Sequence, residues 1–213
     1  MTAATGAGGV PPARTRAQRT EDSRTRILDA AVECLVAGGY AAATTLTIQA
    51  AAGVSRGRLL HHFPSRDLLL VAAAQHLAMK RIVAAEERVL RLVETGTTGW
   101  ERADRVVEDL WSTYHEPHFW AAMEMWIAAR SNPGIAAVLL PEERRLGTAI
   151  RASVDRMMGE PLVSHPRFRQ VRDLLLTSMR GAAATYAFDH RDPARDPLVA
   201  QWKDLVHTLL GRD

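Results

Sequence analysis

Thr44-Thr45-Leu46-Thr47-Ile48-Gln49-Ala50-Ala51-Ala52-Gly53-Val54-Ser55-Arg56-Gly57-Arg58-Leu59-Leu60-His61-His62-Phe63 reads as two short helices joined by a tight turn. Gly53 can take the positive φ that ends a helix at low steric cost. Ser55 follows two residues later, where a side-chain oxygen can cap the next helix. Ile48, Ala52, Val54 and Leu59 fall where two steeply crossing helices would touch. This is the pattern of a helix-turn-helix, whose second helix is shaped to enter a DNA major groove. Arg56 and Arg58 lie near the N-terminus of that helix, the end that meets base edges.

The flanking sequence is helical in period. Upstream, Ile27, Ala30, Ala31, Cys34 and Leu35 repeat at helical spacing, with Ser23 or Thr20 as the expected cap and Gly38-Gly39 as the stop. Cys34, the single cysteine, is read as a small apolar residue on the buried face. Downstream, Pro64-Ser65 breaks the chain and nothing interrupts a helix from Asp67 to about Glu94, roughly 40 Å at the α-helical rise. Its expected apolar stripe is Leu68, Ala72, Met79, Ile82, Val83, Leu90 and Val93. Further helices are expected over about 100–115, 117–130, 133–158, 166–189 and 195–210, with Pro141 kinking or splitting one of them. The fold class is all-α.

Charge divides the 213 residues unevenly. Residues 1–66 hold eight arginines against four acids, +4, whereas the whole chain is +3. A basic N-terminal third beside a near-neutral remainder points to a nucleic-acid end and a different kind of C-terminal end. The expected domains are a disordered basic arm over 1–20, a helix-turn-helix head over 21–66 and a larger helical domain over 67–213. No apolar run is expected to approach the roughly 18 residues of a membrane span, and no charged-then-apolar leader opens the chain. A cytoplasmic location is therefore expected. No nucleophile–base pair, phosphate loop or metal-spaced ligand set stands out, so no enzyme activity, cofactor or metal is expected.

The stretch from about Arg24 to Leu70 resembles the head of the tetracycline-repressor (TetR) family. The specific part is Ala52-Gly53-Val54-Ser55-Arg56-Gly57, then Leu59, then His62-Phe63-Pro64-Ser65-Arg66-Asp67-Leu68-Leu69. Gln49 stands where the family has a small residue, Leu60 where it has a tyrosine that touches phosphate, and Arg66 where it has lysine. The resemblance implies a homodimeric transcriptional regulator, most often a repressor. It would bind a near-palindromic double-stranded DNA operator and be released by a small molecule. The competing reading is a small-molecule-binding or interaction module whose head no longer reads DNA; Gln49 and Leu60 favour it.

DNA-contact candidates are Thr45, Thr47, Ser55, Arg56, Gly57, Arg58, Leu60, His61, His62 and Arg66. An arginine fork can donate two bonds to guanine O6 and N7, although exposed arginines can also be merely solvated. Gly57 would let the groove come close. The hydroxyls of Thr45, Thr47 and Ser55 can meet phosphate or cap helices. His61 and His62 point about 100° apart on a helix, which disfavours a shared metal, and the resemblance puts His62 near DNA backbone. Arg66, at a helix start, would face a phosphate. Arg14, Arg16 and Arg19 belong to the arm. In the larger domain, Trp111, Tyr114, His115, Phe119, Met123 and Trp126 form an aromatic- and Met-rich cluster suited to an apolar or aromatic effector, with His115, His118 and Glu124 as candidate anchors. The resemblance places the dimer contact on the last two helices, through Leu175, Met179, Ala182, Ala183, Tyr186, Trp202, Leu205, Val206 and Leu209; packing within the chain is the alternative.

Overall fold

A computed structural model describes residues 15–94, 96–187, 191–192 and 195–211. Among them there is no strand. The helices are α1 (Arg16–Ala42), α2 (Thr45–Ala52), α3 (Arg56–His62), α4 (Arg66–Glu94), α5 (Gly99–Thr113), α6 (Pro117–Ser131), α7 (Pro133–Met158), α8 (Phe168–Thr185) and α9 (Pro197–Leu210), with a 3-10 turn at Leu162–Ser164. Residues 1–14 of the expected arm lie outside the described residues.

Local chemistry sets the helix ends. Thr15, rather than Thr20 or Ser23, caps α1: its hydroxyl accepts from the Gln18 amide and Gln18 reaches back to the Thr15 amide. Residues 16–20 are therefore helical rather than part of a disordered arm. Thr20 instead donates to the Arg16 carbonyl, and Ser23 is buried. Gly39, at φ 70°, breaks α1 three residues before its end. Thr44 caps α2 and Ser55 caps α3. Gly53, at φ 61°, turns the chain between them in the left-handed conformation that glycine adopts cheaply. Pro141 does not split α7, which continues through it. A missing N–H costs one backbone bond, and the turns on either side hold the helix.

Two cores are built along α4. The first joins Ile27, Leu28, Ala31 and Leu35 of α1 to Ile48, Leu59 and Phe63, and then to Leu69, Leu70, Val71 and Ala73 of α4. It also takes in Ala121 and Met125 of α6 and Leu139 of α7, with Cys34 packed at its edge. The second joins Ala85 and Val89 of α4 to α5, the C-terminal part of α7, α8 and α9. The buried face of α4 is thus only partly the expected one: Ala72 packs against the first core, and Ile82 and Val93 are half-buried. Leu68, Met79, Val83 and Leu90 are exposed, while Leu69, Leu70, Ala73, Ala85 and Val89 are buried. Two apolar stripes coexist on this helix, and its neighbours decide which one is covered.

An 18-residue window of α4 reaches a mean hydropathy of 1.4 and is 28% buried. By length and composition alone it could cross a membrane, contrary to the sequence expectation. The helix nonetheless spends polar side chains of its middle turns on other elements. Gln75 donates to Glu143, His76 and Lys80 bond Asp29 of α1, and Arg81 pairs with Glu116.

Arg66 closes the first core from one side. Its Nε donates 2.9 Å to the Ala43 carbonyl, a second nitrogen donates to the Tyr40 carbonyl, and the guanidinium lies 4.2 Å from the Tyr40 ring centre. These contacts tie the start of α4 to the α1–α2 connection. Arg66→Met leaves both carbonyls without that donor and is expected to lower stability by about 1–3 kcal/mol, read from urea unfolding of the full chain. Asp29 supplies a pH-dependent tie. Lys80 is the main cause holding its carboxyl below the ordinary 3.8, with His76 assisting and burial opposing. A lowered folded pKa means stabilisation that is present above about pH 4 and fades as acid protonates the carboxylate. Asp29→Asn is expected to flatten the acid limb of stability against pH and leave the neutral plateau less stable than wild type.

Candidate nucleic-acid interface and effector region

The head presents one exposed edge made by α3. Leu59, 1% exposed, anchors the helix in the first core. That anchoring turns Arg56, Gly57 and Arg58 outward, where all three are exposed. A side chain added at Gly57 would meet nothing within 4 Å, so this edge is open to a close approach. Among the described residues neither Arg56 nor Arg58 is drawn into an ion pair.

The polar neighbours divide their duties. The Ser55 hydroxyl accepts 3.3 Å from the Arg58 amide. The Thr47 hydroxyl is engaged within the head, at 3.0 Å from the Thr44 amide and 3.1 Å from the Ala42 carbonyl. Thr45 opens α2, and both Thr45 and Gln49 are half-buried. Leu60 and His61 lie exposed beside the arginines. The half-buried His62 ring packs toward Phe63, with its centre 6.3 Å away. Burial lowers the His62 pKa, and His61, Arg24 and Arg58 push in the same direction. Its ring is therefore biased toward the neutral form at neutral pH.

Arg66 departs from the sequence reading. Its donors point inward to Ala43 and Tyr40 rather than toward a phosphate, because the start of α4 lies against the α1–α2 connection. Tyr40 was not singled out by the sequence, yet it is the hub of this corner. Its hydroxyl donates 3.1 Å to Asp67, and burial raises its pKa with Asp67 assisting. The available signal was an aromatic ring directly after Gly38-Gly39.

The aromatic cluster of the larger domain separates into core and margin. Trp111 is 1% exposed and lies against Trp202, with ring centres 4.7 Å apart. Tyr114 is buried, and its hydroxyl donates 3.1 Å to the Leu176 carbonyl. These two are framework. Phe119, Met123, Trp126 and His115 are half-buried around α6. His115 Nε2 and His118 Nδ1 are buried without a hydrogen-bond partner among the described residues. Burial lowers the pKa of both rings; Asp196 and Asp192 oppose it at His115, while Arg81 reinforces it at His118. Glu124, a third candidate anchor, faces the head instead and accepts from the Tyr40 amide. A cavity of 690 Å³ lies elsewhere, between α4, α5 and α9, lined by Arg88, Leu92, Arg105, Asp109 and Val199 among others; none of the six predicted effector residues lines it.

The predicted dimer stripe is largely internal. Leu175, Met179, Ala183, Trp202 and Val206 are buried in the second core of the same chain. Ala182, Tyr186 and Leu209 pack at its edge, and Leu205 is half-buried. The sequence picked the apolar stripe of each helix, and in these helices that stripe faces α5 and α7. The outward face of α8 carries Leu174, Thr177, Gly181 and Ala184.

Residues 27–73 match the family model described as "Bacterial regulatory proteins, tetR family". The chain is 34% identical over 128 residues to the HTH-type transcriptional regulator UidR of Escherichia coli K12, an alignment covering 59% of this chain and 60% of that protein. It is 28% identical over 137 residues to the HTH-type transcriptional repressor AcnR of Corynebacterium glutamicum, covering 63% and 65%. Both alignments thus span less than two thirds of the relatives' lengths. Across nearly the whole chain the fold resembles that of the transcriptional regulator FadR from Bacillus subtilis, solved with stearoyl-CoA, at TM-score 0.59 and 19% identity, covering 87% of this chain and 97% of FadR. The matched residues run from within α1 to the start of α4 and enclose the exposed edge of α3, and over that stretch the chain is similar to the tetR family of bacterial regulatory proteins.

Proposed function

We propose that this chain is a ligand-responsive transcriptional regulator, a repressor in most settings, that binds a near-palindromic operator as a homodimer in the cytoplasm. The observation that carries the reading is the edge of α3. Two arginines flank a glycine on an outward surface whose helix is held by a fully buried leucine. That arrangement suits guanine recognition in a major groove, with Thr45, Ser55, Leu60, His61 and His62 bordering the phosphates. Arg66 is left out of the contact set, since its donors serve the head itself.

The effector is placed beside α6, against Phe119, Met123 and Trp126. The unpartnered nitrogens of His115 and His118 supply polar anchoring, and the half-buried aromatic and thioether surface favours an apolar or aromatic compound. Stearoyl-CoA binds FadR; for this chain the ligand is described only by that chemistry. An effector acts by preferring the state in which the two heads do not fit their half-sites. Dimer contact is assigned to the outward face of α8. Leu174 is 50% exposed there, and Gly181 has open space where a side chain would stand.

Fluorescence anisotropy with DNA selected by the chain from a random library tests the first part. The double variant Arg56→Ala, Arg58→Ala is expected to lose sequence-selective binding, at about 1–3 kcal/mol per bidentate base contact. Undiminished selectivity would show that α3 is not the reading helix. Leu174→Glu is expected to halve the mass in light scattering of the purified chain, with helix content preserved; an unchanged dimer mass would remove that face from the contact.

A further inference from the structure

Besides α4, a second connection runs between the larger domain and the head. α6 packs along α1, and three of its residues face the head at helical spacing. Ala121 and Met125 enter the head's own core. Between them in the sequence, Glu124 extends a carboxylate to the broken end of α1, where Oε2 accepts from the Tyr40 amide at 2.5 Å. The fit to the preceding residue is close. A Cβ at Gly39 would lie 2.6 Å from Oε2 and 2.9 Å from Oε1, and the φ of +70° there already favours glycine. The Tyr40 carbonyl and ring are held from the other side by Arg66, and its hydroxyl by Asp67. Tyr40 is thus fixed jointly by α6 and by the start of α4.

We propose that Glu124 is a positioning residue for DNA recognition: it latches the Gly39–Tyr40 backbone to α6 and so sets the angle at which the head presents α3. This rests on the function proposed above. The latch is separate from the contact set, since Glu124 lies on α6 and the contacts lie on α2 and α3. It is specific to the break in α1, because only a residue without a side chain at position 39 lets both carboxylate oxygens come so near the backbone. It also gives α6 a direct hold on the head. The same helix carries Phe119 on the core of the larger domain and Glu124 on α1, so a displacement of α6 pulls at Tyr40 without passing along α4.

The test uses the full chain with Glu124→Ala and Glu124→Gln. Two readouts are hydrogen exchange at the Tyr40 amide by NMR and anisotropy with library-selected operator DNA. For Glu124→Ala, amide exchange is expected to rise about tenfold or more as the local opening is freed. Operator affinity is expected to fall about five- to fiftyfold, because apparent affinity scales with the fraction of heads held in the binding geometry. The urea midpoint should hold. Glu124→Gln keeps an acceptor oxygen at the same reach and should return both readouts toward wild type. The proposal is overturned if Glu124→Ala leaves Tyr40 exchange within about twofold, if exchange rises with affinity unchanged or tightened, or if the glutamine variant behaves as the alanine one. If wild type shows no selective DNA binding, the regulator reading fails by itself; Tyr40 exchange in the same variants then still decides whether the latch exists, and its absence sinks the proposal independently.

Discussion

One helix belongs to two cores, and most of the architecture follows from that. α4 begins in the head, burying Leu69, Leu70, Val71 and Ala73 against α1 and α3, and ends in the larger domain, burying Ala85 and Val89 against α5 and its neighbours. Close-packed interiors respond to displacement by discrete repacking rather than by smooth deformation. A helix clamped at both ends therefore carries a shift at one core to the other as a change of direction. Its middle bears the polar ties to Asp29, Glu143 and Glu116, which restrict rotation about its own axis.

The arginines show how position decides what a charge does. Arg56 and Arg58 lie on the outer side of a seven-residue helix whose inner side is occupied by Leu59, so their guanidiniums remain in solvent. Arg66, eight residues further on, starts a helix that lies against a connection with two free carbonyls and a tyrosine ring, and it is consumed there. Arg172 is a third case: it is buried between Asp155 and Asp173 and ties α8 to α7. An arginine on the page of a sequence carries the same charge in all three settings; the neighbouring helix assigns the role.

The head was legible because its signals are local. Gly53 two residues before the capping Ser55, apolar residues at crossing positions and the break at Pro64 all act within a few residues of one another. Helix number and approximate bounds in the larger domain were legible for the same reason, from prolines, glycines and caps. Which face each helix buries was not. α4 offers two apolar stripes, and the choice between them is made by α6 and α7, far along the chain. The stripes of α8 and α9 pack on Trp111 within the same chain, which sequence periodicity cannot distinguish from packing on a second copy. Tyr40 and Glu124 stand 84 residues apart, and neither belongs to a recognisable motif. Only the fold brings them together.

The sharing of Ala121, Met125 and Leu139 with the head bears on how such proteins can be recombined. The match to the family model ends at residue 73, which suggests a detachable module ending there. The packing says otherwise. A head lifted from this chain would leave behind part of its interior on α6 and α7, and a head brought in from a relative would have to accept a methionine, an alanine, a leucine and a carboxylate shaped for a different α1. Under the proposed function, exchange of operator preference is thus easier along the outer side of α3, residue by residue, than by exchange of whole heads. Divergence in the larger domain is correspondingly constrained on the side of α6 that carries Ala121, Glu124 and Met125.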